Sequence, residues 1–338
     1  MYYNNRDIRV EELPKPKAGS GELLVKIEAS GICGSDVMEW YRIRKAPLVL
    51  GHEIAGTIAE VGEGVKGFTV GQRISASHHV PCNTCYHCIT GHPTSCDTLR
   101  KTTFDPGGFS EYVRLPAINV DRGVYPFPDA LSFEEATFTE PLACVLRGQR
   151  RAGLAAGQSV LVIGSGISGV LHIALAKATG ARCIVATDID PFRVESAGRF
   201  GADYAIHAGK DVAGLLRDIN GGRLADCVIV CTGSPRAIAD AFRLAERGGT
   251  ILLFAPTDPG VTIPFPFNDV MWGNDLTVTT TYAGDRTDHL MALELIRSGR
   301  VRVKGMITHR LPLEETARGF QLVTSAGQSI KVIIEPQK

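Results

Sequence analysis

The feature that most restricts how this chain can fold lies between residues 160 and 188. There the apolar run VLVIG leads into a glycine-rich turn, a segment of helical period ending in HIALAKATG, and a second apolar run, CIVATD. Strand, turn, helix and strand of these lengths make a βαβ crossover, which demands a parallel sheet with helices on its faces. Gly164, Gly166 and Gly169 stand in the turn as G-x-G-x-x-G. The first makes the tight turn, the second lets a pyrophosphate approach the backbone, and the third lets helix and strand pack closely; the helix start at Ile167 and Ser168 faces the phosphate charge. Asp188 ends the second strand, 19 residues beyond Gly169. A carboxylate there takes both hydroxyls of an adenosine ribose and repels a 2′-phosphate, so NAD(H) is expected over NADP(H). Arg193 can accommodate such a phosphate, flank the adenine or stand in solvent. A second unit, DCVIVCTG followed by AIADAFRLAERGG and TILLFA, places Cys231, Thr232 and Gly233 at a strand end beside the cofactor crevice. Strand-end packing explains those three nearly as well.

The front of the chain follows a different rhythm. Residues 21–30 (GELLVKIEAS) and 54–75 carry short alternating apolar runs cut by glycines, as antiparallel strands with tight turns do. At 338 residues the chain exceeds the usual size of one core, so two domains of unequal kind are expected. Beyond Tyr282, the helical HLMALELIRSG and the segment KGMITHRLPLEETARGFQLV break the βαβ rhythm and are expected to return to the front domain. Lys plus Arg and Asp plus Glu are both 36, so no net field gathers nucleic acid or an anionic membrane. No apolar run spans a bilayer, and MYYNNRDIRVEELPKP lacks the layout of a secretory signal. These observations predict a cytoplasmic protein whose partner is a small molecule.

Nine cysteines is an odd count, and four of them, Cys82, Cys85, Cys88 and Cys96, form C-x2-C-x2-C-x7-C. Four thiolates on one short loop suit a tetrahedral metal better than a disulfide framework, and a four-sulfur set leaves no position open for substrate. The reading is a structural zinc, with an iron–sulfur cluster as its rival because spacing alone does not choose the metal. His87 and His92 are expected to face solvent. Elsewhere Cys33 sits in GICGSD, and His52 with Glu53 in LGHEIAG. A thiolate, an imidazole and an acid are the mixed set that a Lewis-acidic zinc with one open place requires.

GHEIAGTIAEVGEGV resembles the zinc-containing alcohol dehydrogenase motif G-H-E-x2-G-x5-G-x2-V, and GICGSD, the four-cysteine loop, GGFSEY and TEPLAC occur in that family's order. The likeness covers nearly the whole chain and is strongest to the sorbitol, polyol and threonine dehydrogenases, which carry Glu rather than Cys in the segment matching TEPLAC. It implies an α/β protein: a GroES-like β-rich catalytic domain over 1–147, rejoined by 285–338, and a Rossmann NAD-binding domain, doubly wound on a parallel sheet, over 148–284. It also implies a homodimer or homotetramer. Cys33, His52 and Glu53 become the catalytic zinc ligands, with Glu140 a fourth, direct or through water, exchanging with Glu53. Read without the resemblance, Glu140 is a charge at a helix start. Ser35 becomes the hydroxyl that accepts the alcohol's proton and passes it to the cofactor ribose, although it serves equally as a turn former. Many relatives place a histidine three residues after that hydroxyl. This chain has Met38 there, which leaves the final acceptor unnamed.

The implied reaction is hydride transfer from a secondary alcohol to NAD⁺. The Arg-Tyr pair of polyol enzymes is Thr281-Tyr282 here, which widens the substrate class to polyols, sugars and cyclitols, with threonine-like amino alcohols as the alternative. Trp40, Tyr41, Arg42 and Tyr282 are the candidate substrate contacts. Two rivals belong to other classes: a nucleotide-sensing or structural protein on the same scaffold, and a zinc-ribbon nucleic-acid module. The full set of Cys33, His52, Glu53, Ser35 and Glu140 argues against the first, and neutral charge against the second.

Overall fold

Six strands between residues 159 and 280 pair in the order Tyr204–His207, Cys183–Asp188, Ser159–Ile163, Ala225–Val230, Ala245–Leu253 and Thr277–Thr280. Every pairing is parallel. In chain order this is the doubly wound Rossmann arrangement, whose reversal beside the first strand opens a crevice at the carboxyl ends. Strands buried on both faces read as unbroken apolar runs, and Val160, Leu161, Val162, Val228 and Ile229 are fully enclosed. The Ile167–Ala178 helix is covered too, burying Val170, Leu171, Ile173, Leu175 and Ala176, hence its apolar composition on nearly every face. The structure, a computed structural model, describes residues 1–338 apart from 265, 266 and 326.

A seven-stranded sheet carries the rest. Its order is Ile307–Pro312, Lys331–Glu335, Leu23–Gly31, Glu53–Val61, Arg73–Ala76 and Val124–Pro126, with Tyr112–Leu115 also on Leu23–Gly31. Only the first two are parallel to each other; the remaining pairings are antiparallel. Its side chains alternate: Leu23, Val25, Ile27, Ile54, Ile58, Ile74 and Val113 share one core. The 54–75 stretch is two strands, Glu53–Val61 and Arg73–Ala76, joined by a turn in which Gly64, Gly67 and Gly71 take positive φ.

Two registers position the chemistry. Gly31 pairs with Glu53 on one side and with Ile333 on the other, so the tail strand lies two positions from the Gly-His-Glu segment. One compact unit is Met1–Ala143 with Ala283–Lys338, and the other is Cys144–Tyr282. Among the described residues no helix is long and apolar enough to cross a membrane.

Candidate active site

The Leu23–Gly31 strand ends where the Glu53–Val61 strand begins, and the turn after the first carries Cys33, Ser35 and Asp36. The ligand atoms of Cys33, His52 and Glu53 all lie within 4.8 Å of one another. His52 and Glu53 are buried, and Cys33 is half-buried. Asp36, fully enclosed, accepts from Cys33 N at 3.1 Å through Oδ2 and meets His52 Nδ1 at 3.3 Å through Oδ1. That contact settles which ring nitrogen is spoken for: Nδ1 belongs to Asp36, which leaves Nε2 as the donor toward a metal. Burial alone would raise the Asp36 carboxyl, but His52 and Arg42 outweigh it and hold it below the ordinary value. Burial also works against charge on His52, yet Asp36 and the Cys33 sulfur more than offset it, so in the metal-free chain its pKa stands well above the ordinary imidazole value. Sulfur, imidazole nitrogen and carboxylate converging in a half-buried turn fit zinc with room for an oxygen ligand.

Glu53 has a second partner. Lys331, enclosed in the tail strand, donates through Nζ to Glu53 Oε2 and to the carbonyl of Ile32. A buried ammonium needs such pairing. Gly31 makes it possible, since a Cβ there would run into both the Glu53 carboxylate and the Lys331 stem. Two histidines flank the set. The His78 ring lies 4.7 Å from that of His52 and 3.7 Å from that of His79. Burial, with His79, His52 and Arg42 adding to it, depresses His78, and burial pushes His79 down to about 4, so both are neutral imidazoles at pH 7.

In the cysteine lobe, Cys85 and Cys88 sulfurs are 3.6 Å apart, Cys96 and Cys82 3.6 Å, and Cys82 and Cys88 4.0 Å. A tetrahedron with metal–sulfur bonds of about 2.3 Å has edges of roughly 3.8 Å, whereas a disulfide is only about 2.05 Å long. The four sulfurs are therefore arranged as a metal cage. Backbone amides of Cys85 and Cys82 donate to the sulfurs of Cys82 and Cys96, as they would to thiolates.

In the other unit, Gly164 has φ +92° and sits under the backbone of Cys231, whose carbonyl carbon would be 3.2 Å from an added Cβ. A Cβ on Gly169 would strike the Gly164 carbonyl, so the helix can approach only without one. Gly166 caps the Ile167–Ala178 helix, and the nearest side chain to its missing Cβ is the Arg193 guanidinium, 3.7 Å away. Arg193 Nε is buried with no partner among the described residues. Asp188 accepts from Ser165 N at 2.7 Å and Asp190 N at 2.9 Å, one bond to each oxygen. Each oxygen keeps a further acceptor position for a hydroxyl. A cavity of about 520 Å³ beside it is lined by Thr187, Ile189, His207, Ser234 and Ala237.

Comparison with known proteins decides the family. The model for the alcohol dehydrogenase GroES-like domain matches residues 19–129, and that for zinc-binding dehydrogenases matches 169–298. Sorbitol dehydrogenase of Gallus gallus is 32% identical over 97% of this chain and 93% of its own. L-threonine 3-dehydrogenase of Bacillus velezensis is 34% identical over 97% and 95%. The chain belongs to the zinc-dependent medium-chain alcohol dehydrogenases. A solved zinc-binding dehydrogenase from Sinorhizobium meliloti, bound to NADP, superposes with a TM-score of 0.87 at 27% identity, covering 99% of this chain and 97% of that one. As a zinc-dependent medium-chain alcohol dehydrogenase, this protein is an oxidoreductase acting on CH–OH donors with zinc and a nicotinamide cofactor.

Glu140 is buried in the first turn of the Thr139–Arg151 helix. Trp40 and Tyr41 pack edge-on, 5.8 Å between centroids, and Tyr282 is 40% exposed in the other unit. Arg42 donates to the Ser35 carbonyl, to Ser35 Oγ and to Asp36. Asp36, His78, His79 and Lys331 were not singled out in the sequence. Asp36 alone carried a local signal, being adjacent to Ser35.

Proposed function

We propose that the chain oxidises a secondary alcohol of a polyol, sugar or cyclitol with NAD⁺, as a cytoplasmic homodimer or homotetramer. The observation that carries this reading is the convergence of Cys33, His52 and Glu53 with the Ser35 hydroxyl 3.4 Å from the Cys33 sulfur. When bound, zinc supplies Lewis acidity at the alcohol oxygen and the nicotinamide supplies the hydride acceptor. Cys33, His52 and one acid hold the metal: Glu53 at rest, or Glu140 when Lys331 keeps Glu53. Asp36 fixes the His52 tautomer. Ser35 Oγ takes the alcohol's proton and releases its own toward a cofactor ribose hydroxyl and water. Gly164, Gly166 and Gly169, with the Ile167 and Ser168 amides and Arg193, receive the pyrophosphate, and Cys231 and Thr232 border the nicotinamide end. Trp40, Tyr41 and Tyr282 remain the proposed substrate contacts. Thr277–Thr280 is an exposed edge strand, and Phe267 and Trp272 nearby in sequence are 58% and 74% exposed, which supports pairing with a second copy.

The amino-alcohol reading keeps its place because the threonine dehydrogenase relative is as similar as the sorbitol one. A panel of polyols, aldoses, inositols, diols and L-threonine, assayed for NAD⁺ reduction with and without a zinc chelator, separates the two. We expect chelator-sensitive NADH formation with at least one cyclic or acyclic polyol. No turnover of any alcohol by zinc-replete protein would instead support a sensing or structural role.

Asp188 sets the cofactor choice in this account. Asp188→Ala removes both the ribose acceptors and the repulsion of a 2′-phosphate, leaving Arg193 nearby. The ratio of kcat/KM for NAD⁺ over NADP⁺ is expected to fall at least tenfold, about 1.4 kcal/mol. An unchanged ratio would remove Asp188 from that role.

A further inference from the structure

Arg42 ends the single helical turn Glu39–Arg42, and its side chain is only 13% exposed. Nε donates to the Ser35 carbonyl at 3.0 Å, and Nη2 donates to Ser35 Oγ at 2.9 Å and to Asp36 Oδ1 at 3.2 Å. Asp36 Oδ1 is the same oxygen that meets His52 Nδ1. One guanidinium therefore touches the hydroxyl proposed to relay the proton and the carboxylate that orients the metal-binding imidazole. It does so beside Met38, where no acceptor stands in the place of the histidine many relatives carry.

We propose that Arg42 is a positioning residue that fixes the direction of the Ser35 hydroxyl. The inference rests on the reading of Ser35 as the proton relay. A serine hydroxyl has one proton and two lone pairs, whereas a guanidinium only donates and keeps its charge at every working pH. With one lone pair held by Nη2, the hydroxyl cannot point its proton at Arg42. The proton points instead toward the Cys33 sulfur, 3.4 Å away, which leaves the second lone pair to accept the alcohol's proton. In turnover the alcohol O–H breaks as a new Ser35 O–H forms on that lone pair, and the proton Ser35 held before passes to a cofactor hydroxyl or water. Arg42 takes no proton at any point. Its charge favours departure of the proton Ser35 already holds, so that the oxygen does not keep two, and its grip on the Ser35 carbonyl keeps the turn from drifting.

A double-mutant cycle tests this. Arg42→Gln is expected to lower kcat about 10- to 100-fold, part of what general acid–base groups supply, with KM changed less than threefold. Arg42→Lys, which keeps a donor and the charge, recovers part of the loss. In a Ser35→Ala background, Arg42→Gln should cost several-fold less than in the wild type, because the hydroxyl it directs is gone while its contacts to the Ser35 carbonyl and Asp36 are lost in both. A second readout needs no turnover. In cobalt-loaded protein the thiolate-to-cobalt band should shift in Arg42→Gln when Ser35 is present and shift distinctly less when it is Ala, the four-cysteine lobe contributing equally to all variants. Losses that multiply in the double variant, or a rise in KM alone, would overturn the proposal in favour of a substrate contact or a folding role. Wild-type protein inert toward every alcohol would sink the dehydrogenase reading, while the cobalt spectra would still decide Arg42.

Discussion

Replacing His52 by glutamine is expected to lower kcat/KM for alcohol oxidation on the order of 10³-fold, the several kcal/mol that a Lewis-acidic metal contributes. Glutamine is close to isosteric and can still receive or donate at the Asp36 end, so the loss reports the ligand rather than a hole. Zinc content is expected to fall from two per chain to one, because the four-cysteine lobe is built from its own loop and has no contact with His52 in its donor set. Cys33→Ser should behave alike, an alcohol oxygen being a much poorer ligand than a thiolate. The assay is steady-state NADH formation beside metal analysis of the same preparation. A variant that loses one zinc and keeps its rate would separate the metal from the chemistry.

The second large effect is on stability in mild acid. His172, fully enclosed in the nucleotide-binding unit, is pushed down by burial to about 3. His289, 2% exposed in the other unit and stacked on Tyr125 at 5.2 Å, is pushed down by burial to about 4. Both folded values lie below the unfolded value near 6.5, so between the two the unfolded chain binds more protons. Stability is therefore complete above about pH 6.5 and declines as pH falls toward the folded values. Between pH 7 and pH 5 each histidine removes about 2 kcal/mol from the unit that buries it. Urea unfolding at the two pH values measures the loss. His172→Gln and His289→Phe should each remove one share of the pH dependence, whatever happens to bound zinc. Curves that superimpose at pH 7 and 5 would contradict the burial argument.

How much of this was legible in the sequence depended on whether the signal was local. The glycine turn was readable because three spacings answer to three local steric demands: positive φ at Gly164, an open backbone at Gly166 and helix approach at Gly169. The cysteine lobe was readable for the same reason, its four donors falling within 15 residues. Lys331 was not, because it reaches Glu53 across 278 residues through the pairing of Ile333 with Gly31, a register that no short pattern encodes. Nor were His78 and His79, which stand between a strand end and the cysteine loop at no spacing that marks a ligand. The contacts of Arg42 were not legible either, since its place after Trp40 and Tyr41 suggests only a loop. A single turn of helix after Met38 brings it back over Ser35, seven residues earlier. Glu140 was legible only through the family pattern, since a buried acid in the first turn of a helix carries no local mark of a metal ligand.

The most direct test of the central claim is anomalous diffraction at the zinc edge from crystals of protein that reduces NAD⁺ with an alcohol. Two peaks per chain are expected, one enclosed by Cys82, Cys85, Cys88 and Cys96 and one bounded by the Cys33 sulfur and His52 Nε2. A single peak, in the cysteine lobe of fully active protein, would contradict it.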